Sequence, residues 1–202
     1  PACETIQELE QSFINYKKTL DEILKREGFK PLFIGVDPFN DPGAIELIDH
    51  VKYRLMDKNM REYGSLGKWM MRNTCSIQIN YDIKSRKDLE ESIYILDCIH
   101  PVLSFLFSNS PFQKGRSVGN LNLRNHIWEN TDDSRCRSLI NHGILDNGSI
   151  LDSYCDFVFQ VPGIFKLDDK NNIQKTTLTL GEDLNTKYVK GLLRKQDIKV
   201  AL

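Results

Sequence analysis

Apolar residues recur at Ile6, Leu9, Phe13, Tyr16, Leu20 and Ile23, in steps of three and four that place them on one face of a helix. Thr5 and Glu8 have the spacing of a capping box, and Gly28 is a natural stop, so the pattern predicts a helix over 5–27. Leu32 to Val36 reads as a short buried strand, followed by a loop punctuated by Asp37-Pro38 and Asp41-Pro42-Gly43. Val51 to Tyr63 reads as a second helix, with Tyr53, Met56, Met60 and Tyr63 in line. Gly64 and Gly67 bracket a turn, and Trp69 and Met70 lead into a strand of about ten residues, read from its period of two.

A long helix begins at Ser85, with Asp88 closing a capping pair and Leu89, Ile93, Leu96 and Ile99 as its stripe. Pro101 should kink or restart it, because proline has no amide hydrogen to give, and the segment ends near Ser108-Asn109-Ser110-Pro111. Residues 112–150 are rich in Gly, Asn, Ser and charge, too long for an idle connection and a place for function. Ser153 to Val161 forms another apolar element. Phe165 to Leu167 and Ile173 to Leu180 make a hairpin turning at Asp168 to Asn172, before a basic, polar, helical tail. The chain shows no internal repeat and no internal boundary. The expectation is one α+β domain over 1–202, an antiparallel sheet packed with helices.

Within the ten-residue strand, alternation separates Cys75, Ile77, Ile79 and Tyr81 from Thr74, Ser76, Gln78, Asn80 and Asp82. The first set suits a core. The second has no Lys, Glu or Arg, unlike an ordinary solvated face, and its amides and hydroxyls suit a polar ligand held on a sheet floor. A one-sided wet sheet is the other reading. Asn120, Asn122, Arg124, His126 and Trp128 also share one side if that stretch is extended, with Thr131, Asp132 and Arg135 downstream. Arginine clamps carboxylate or phosphate through two parallel hydrogen bonds, which makes Arg124 and Arg135 candidates. Arg135 also has Asp132 to pair with, and His126 and Trp128 have structural readings beside their ligand-binding ones.

Composition narrows the function without naming it. The 202 residues are 40% hydrophobic and 27% charged with net charge −1, which leaves no electrostatic case for nucleic acid as a partner; Arg194-Lys195 is too short to change that. No apolar run approaches the ~20 residues of a membrane helix, and no signal peptide opens the chain. Pro1 in place of methionine reads as a processed or truncated start. Five scattered cysteines, Cys3, Cys75, Cys98, Cys136 and Cys155, with no CxxC pair, read as reduced thiols of a cytoplasmic protein. GxSxG, HExxH, Walker and Rossmann fingerprints are all absent.

Several stretches, in order between about residues 5 and 180, resemble the glutamate–cysteine ligases of plants and alphaproteobacteria. They are Gly35-Val-Asp-Pro38, Lys52-Tyr-Arg-Leu-Met56, Gly64-Ser-Leu-Gly67 with Met70-Met71, and Thr74-Cys-Ser-Ile-Gln-Ile-Asn-Tyr-Asp82. Ser108-Asn-Ser-Pro-Phe112, Arg124-Asn-His-Ile-Trp128, Thr131-Asp132 with Arg135, and Val161-Pro162 continue the series. The resemblance implies the central part of a glutamine synthetase-like (carboxylate–amine ligase) catalytic domain, incomplete in this chain. It also implies ATP and Mg²⁺, glutamate and cysteine as substrates, and an acyl phosphate intermediate on the way to γ-glutamylcysteine. On that basis Arg124 clamps a substrate carboxylate or phosphate, and Arg135 is a second phosphate ligand. Gln78, Asn80, Thr74 and Ser76 line the nucleotide region, and Tyr53, Arg54, His126 and Trp128 line the site.

The chain departs from the resemblance in places. Relatives are longer and carry metal-binding acidic residues on an earlier strand, so the metal ligands are unknown here, and the remainder of its own chain is a further expected partner. Asn73 stands where many relatives have arginine; Arg72 is adjacent, but one step in a strand reverses the face. Phe157 stands where relatives often have a tyrosine near the cysteine pocket. Besides the ligase, two alternatives stay open: a non-catalytic binding module that keeps the fold, and a carboxylate–amine ligase using another amine.

Overall fold

The computed structural model describes residues 2–63, 65–145, 148–168, 170 and 172–194. Gly64, Asp169 and Asn171 of the expected turns, and the basic tail from Lys195 onward, lie outside the described residues. The chain forms two compact units, Pro1–Ile34 and Gly35–Leu202. The first is built on α1 (Ile6–Glu27). The Thr5 hydroxyl accepts from the Glu8 amide, the Glu8 carboxylate accepts from the Glu4 amide, and Gly28 closes the helix with φ 73°. Its apolar stripe is solvent-facing, with Phe13 and Tyr16 exposed.

The second unit starts from α2 (Val51–Tyr63) and α3 (Gly67–Asn73). The two helices meet where a Cβ on Gly67 would lie 2.5 Å from the Met60 Cβ and 2.9 Å from the Met60 carbonyl oxygen, so only glycine permits the approach. Next come α4 (Arg86–Leu106), the hairpin β1 (Phe112–Gln113) and β2 (Arg116–Ser117), and α5 (Leu123–Glu129). Lys114 and Gly115, φ 51° and 74°, form the two-residue turn whose positive φ values suit a tight hairpin. Then follow α6 (Ile150–Gln160), the antiparallel pair β3 (Phe165–Leu167) and β4 (Ile173–Lys175), and α7 (Leu180–Val189) with a complete capping box at Thr179 and Glu182. The α+β class holds, with seven α-helices and two small antiparallel sheets among the described residues. Val36, Trp69, Leu123 and Ile127 form the core of this unit, with Leu66, Met70 and Val118 packed on it.

Several local expectations are corrected. Leu32 to Val36 is not a strand: Leu32 and Phe33 are exposed, and only Val36 pairs, as a single antiparallel bridge with Thr74. Trp69 and Met70 sit in α3, not in the approach to a strand. Thr74 to Asp82 pairs only at its start, and residues on both expected faces are exposed, with Ile77, Ile79 and Tyr81 at 83%, 59% and 65%. A strand is held by a partner's backbone, and past Cys75 no described segment offers one. The stretch around Arg124 is the short helix α5, capped by the Asn122 side chain on the Asn125 amide, with Leu123 and Ile127 buried one turn apart. Pro101 stands inside α4, which continues to Leu106 without a restart.

Candidate functional site

Three chain segments converge beside Gly35. Its amide donates to the Asn109 carbonyl at 2.8 Å, its carbonyl accepts from the Cys75 amide at 3.0 Å, and the Asp37 amide donates to the Asn73 carbonyl at 2.8 Å. A Cβ at Gly35 would lie 3.3 Å from Arg124 Cδ, so the small residue makes room for the arginine stem. Arg124 leaves α5 with its amide bonded to Ser110 Oγ at 3.0 Å. Its Nε donates to the Cys75 carbonyl at 2.9 Å, and its guanidinium carbon lies 5.5 Å from the Trp128 ring centre, one helical turn on. These contacts fix the plane of the guanidinium. They leave the Nη1/Nη2 edge as the part that can take an anion through two hydrogen bonds. Burial pulls the Arg124 pKa down, with the neighbouring Cys75 thiol acting the other way, and the group stays a cation at neutral pH.

Arg124 is thus joined to the start of the polar stretch. Thr74 Oγ1 is turned back to the Met70 carbonyl at 2.7 Å, whereas Ser76, Gln78 and Asn80 are exposed along the chain that leads away from Cys75. His126 is exposed, with its ring nitrogen 3.3 Å from the Asn130 amide nitrogen. Trp128 forms part of a groove of about 1520 Å³ between α4 and α5. Its Nε1 and the Asp97 Oδ2 are both buried without a hydrogen-bond partner among the described residues. A buried unpaired donor and acceptor carry a desolvation cost that a polar occupant would relieve.

The remaining predicted residues lie elsewhere in the unit. Arg135 is bonded to the Asp132 carboxylate and to the Pro162 carbonyl, and Asp132 is itself held by the Ser134 amide and hydroxyl at 2.9 and 2.6 Å. With Tyr154 and Phe157 it borders a largely apolar cleft of about 340 Å³ between α6, α7 and the β3–β4 hairpin. Tyr53, on α2, stands edge-on to His50, and Arg54 pairs with Asp49 just ahead of that helix, away from Arg124's contacts. Asn73 is 2% exposed and its side-chain amide donates to the Asn40 carbonyl at 2.9 Å, while Arg72 turns to Asp57 and the Ile45 carbonyl. Both positions lie in α3, so the expected reversal of a strand face does not apply; their side chains go to different partners, and Arg72 does not replace a cation at 73. Sequence reasoning missed the Asp57–Arg72 pair. The one available signal was a carboxylate beside Met56 on the apolar side of α2.

Among the described residues, no group of three or more His, Cys, Asp or Glu side chains is placed to hold a metal ion. These described residues do not fit a resident Mg²⁺.

Residues 1–193 match the sequence model described as Glutamate-cysteine ligase family 2 (GCS2). The chain is 31% identical over 181 residues to the chloroplastic glutamate–cysteine ligase of Medicago truncatula, covering 90% of this chain and 34% of that protein. It is 32% identical over 148 residues to the chloroplastic glutamate–cysteine ligase A of Oryza sativa subsp. indica, covering 73% and 30%. With the chloroplastic enzyme of Arabidopsis thaliana it shares 29% identity over 181 residues, covering 90% and 34%. The chain spans about a third of the length of these curated relatives. Their names correct the cytoplasmic location expected from the cysteines, because all three are chloroplastic proteins. Unpaired thiols report a reducing milieu, which is not an address. No described helix is long and apolar enough to cross a membrane.

Proposed function

The chain belongs to Glutamate-cysteine ligase family 2, and we propose that the protein carrying it joins the γ-carboxylate of glutamate to the amine of cysteine at the expense of ATP. The match over residues 1–193 carries this reading, and the geometry that supports it is the fixed guanidinium of Arg124. In the reaction a γ-carboxylate oxygen of glutamate attacks the terminal phosphorus of ATP, the bond to ADP breaks, and an acyl phosphate forms. The cysteine amine attacks the acyl carbon and loses a proton, and phosphate leaves with the former carboxylate oxygen.

Arg124 binds a glutamate carboxylate through its Nη edge and orients the substrate, so that the reacting atoms meet at high effective concentration. Ser76, Gln78 and Asn80 supply neutral donors and acceptors for the nucleotide, with Thr74 anchoring the root of that segment. Their stretch pairs as a strand of a glutamine synthetase-like sheet in the complete domain. His126 and Trp128 border the site, Trp128 through its stacking on Arg124. Arg135 is a second phosphate candidate, through the donors that Asp132 and Pro162 leave over. Tyr53 and Arg54, on α2, stand outside this site. The plant relatives make a plastid the compartment to expect.

A second reading, a binding module without turnover, is favoured by Asn73. Where the resemblance places an arginine, this side chain is buried and committed to the Asn40 carbonyl. ADP release by the full polypeptide that carries this chain, given ATP, Mg²⁺ and glutamate, separates the readings. The ligase reading expects release that requires glutamate and rises when cysteine is added. Saturable glutamate binding with no ADP release under any combination would establish the binding module.

A further inference from the structure

A second cationic site stands on the face formed by α2 and α3. Arg54, Lys58 and Arg61 are spaced by four and three residues, so they share one stripe of α2, and Arg72 reaches the same cleft from α3. Like charges at that spacing on a helix repel one another, a cost that a bound anion removes. The cleft, about 600 Å³, sets these four cations against two carboxylates, Asp57 and Glu62. Glu62 is already shared with Lys175 at 3.3 Å. Arg54 is paired with Asp49, which leaves Lys58, Arg61 and Arg72 against Asp57 and positive charge in excess.

Asp57 lies at the base, its side chain 6% exposed, and takes one hydrogen bond from each of Arg61 and Arg72. One arginine would satisfy a buried carboxylate. The second brings surplus charge and has its guanidinium oriented by the shared partner. Arg72 also gives its Nε to the Ile45 carbonyl at 3.0 Å, which leaves its Nη2. Arg61 spends only Nη2 on Asp57, which leaves Nε and Nη1. Two oriented forks with donors remaining, and a flexible ammonium from exposed Lys58 beside them, match a tetrahedral oxyanion with several acceptor oxygens. Holding the forks before the ligand arrives lowers the ordering cost of binding.

We propose that the cleft lined by Arg54, Lys58, Arg61 and Arg72 is a binding site for a phosphate group, distinct from the Arg124 site. The phosphate is either free or part of a nucleotide. The site stands on its own charges and does not depend on the ligase reading.

Titration calorimetry at constant ionic strength, first with inorganic phosphate and then with metal-free ATP, tests it. Constant salt is needed because exposed charges attract anions nonspecifically in a screened way. The expected result is saturable binding of at least one ligand, weakened at least about tenfold in Lys58→Gln/Arg61→Gln and unchanged in Arg124→Ala. Phosphate binding alone identifies free phosphate as the ligand, and ATP binding alone identifies a nucleotide phosphate. Lys58→Gln by itself, at an exposed position without an ion pair among the described residues, should weaken binding about threefold or more while leaving the thermal midpoint in place. Absence of saturable binding by both ligands, or equal affinity in wild type and double variant, overturns the proposal. So does loss of binding in Arg124→Ala alone.

Discussion

Asp57→Asn is expected to destabilise the Gly35–Leu202 unit by about 3–5 kcal/mol, the cost of breaking a buried ion pair from one side. The Asp57 and Arg72 side chains are 6% and 10% exposed, so little solvent screening reduces the loss, and the variant, although its amide oxygen still accepts, leaves the Arg72 cation buried without a counter-charge. Arg61, half exposed, recovers its hydration and adds little to the loss. Urea unfolding at neutral pH reads the effect as a lowered midpoint at unchanged slope. The acid limb gives an independent check. Burial disfavours the charged Asp57, but hydrogen bonds and charge attraction from Arg72 and Arg61 outweigh it and hold the pKa below the ordinary 3.8. The unfolded chain therefore takes up this proton first as pH falls. The stability from Asp57 is full above the ordinary carboxylate range and is lost as pH drops through the lowered folded value. Asp57→Asn should flatten that part of the acid profile, and a variant with wild-type stability and an unchanged acid limb would mean the pair is unimportant.

Arg124→Ala is expected to lower kcat/KM for glutamate in the full polypeptide by about 2–3 kcal/mol, roughly 30- to 150-fold, the range for losing a charged hydrogen-bonded contact. Arg124→Lys should recover little of it. An ammonium cannot donate to the Cys75 carbonyl, stack on Trp128 and present two parallel donors at once. Kinetics indistinguishable from wild type in both variants would remove Arg124 from the site.

What was legible in the sequence was what local rules control. The Thr5 cap, the Gly28 stop, the span of α2 and the Ser85 start of α4 all follow from residues within a turn of one another. The 74–82 stretch shows the limit of such rules. Alternation states which faces a strand would present, and pairing requires a partner backbone that periodicity says nothing about. Residues 120–128 fit a period of two, yet Leu123 and Ile127 are also one helical turn apart behind an Asn cap, and packing against Trp69 decides for the helix. The motif singled out Arg124 as a candidate. Its fixing by Gly35, Cys75 and Ser110 was not legible, because those contacts join segments far apart in the chain. The Asp57–Arg72 pair, 15 residues apart and on two helices, belongs to the same class.

Under the proposed ligase reading, glutamate is activated as an acyl phosphate. The most direct measurement uses glutamate carrying ¹⁸O in its γ-carboxylate, incubated with ATP, Mg²⁺, cysteine and the full polypeptide. The predicted result is one ¹⁸O atom in each inorganic phosphate released, formed in step with γ-glutamylcysteine. Unlabelled phosphate released alongside the same product would contradict the account.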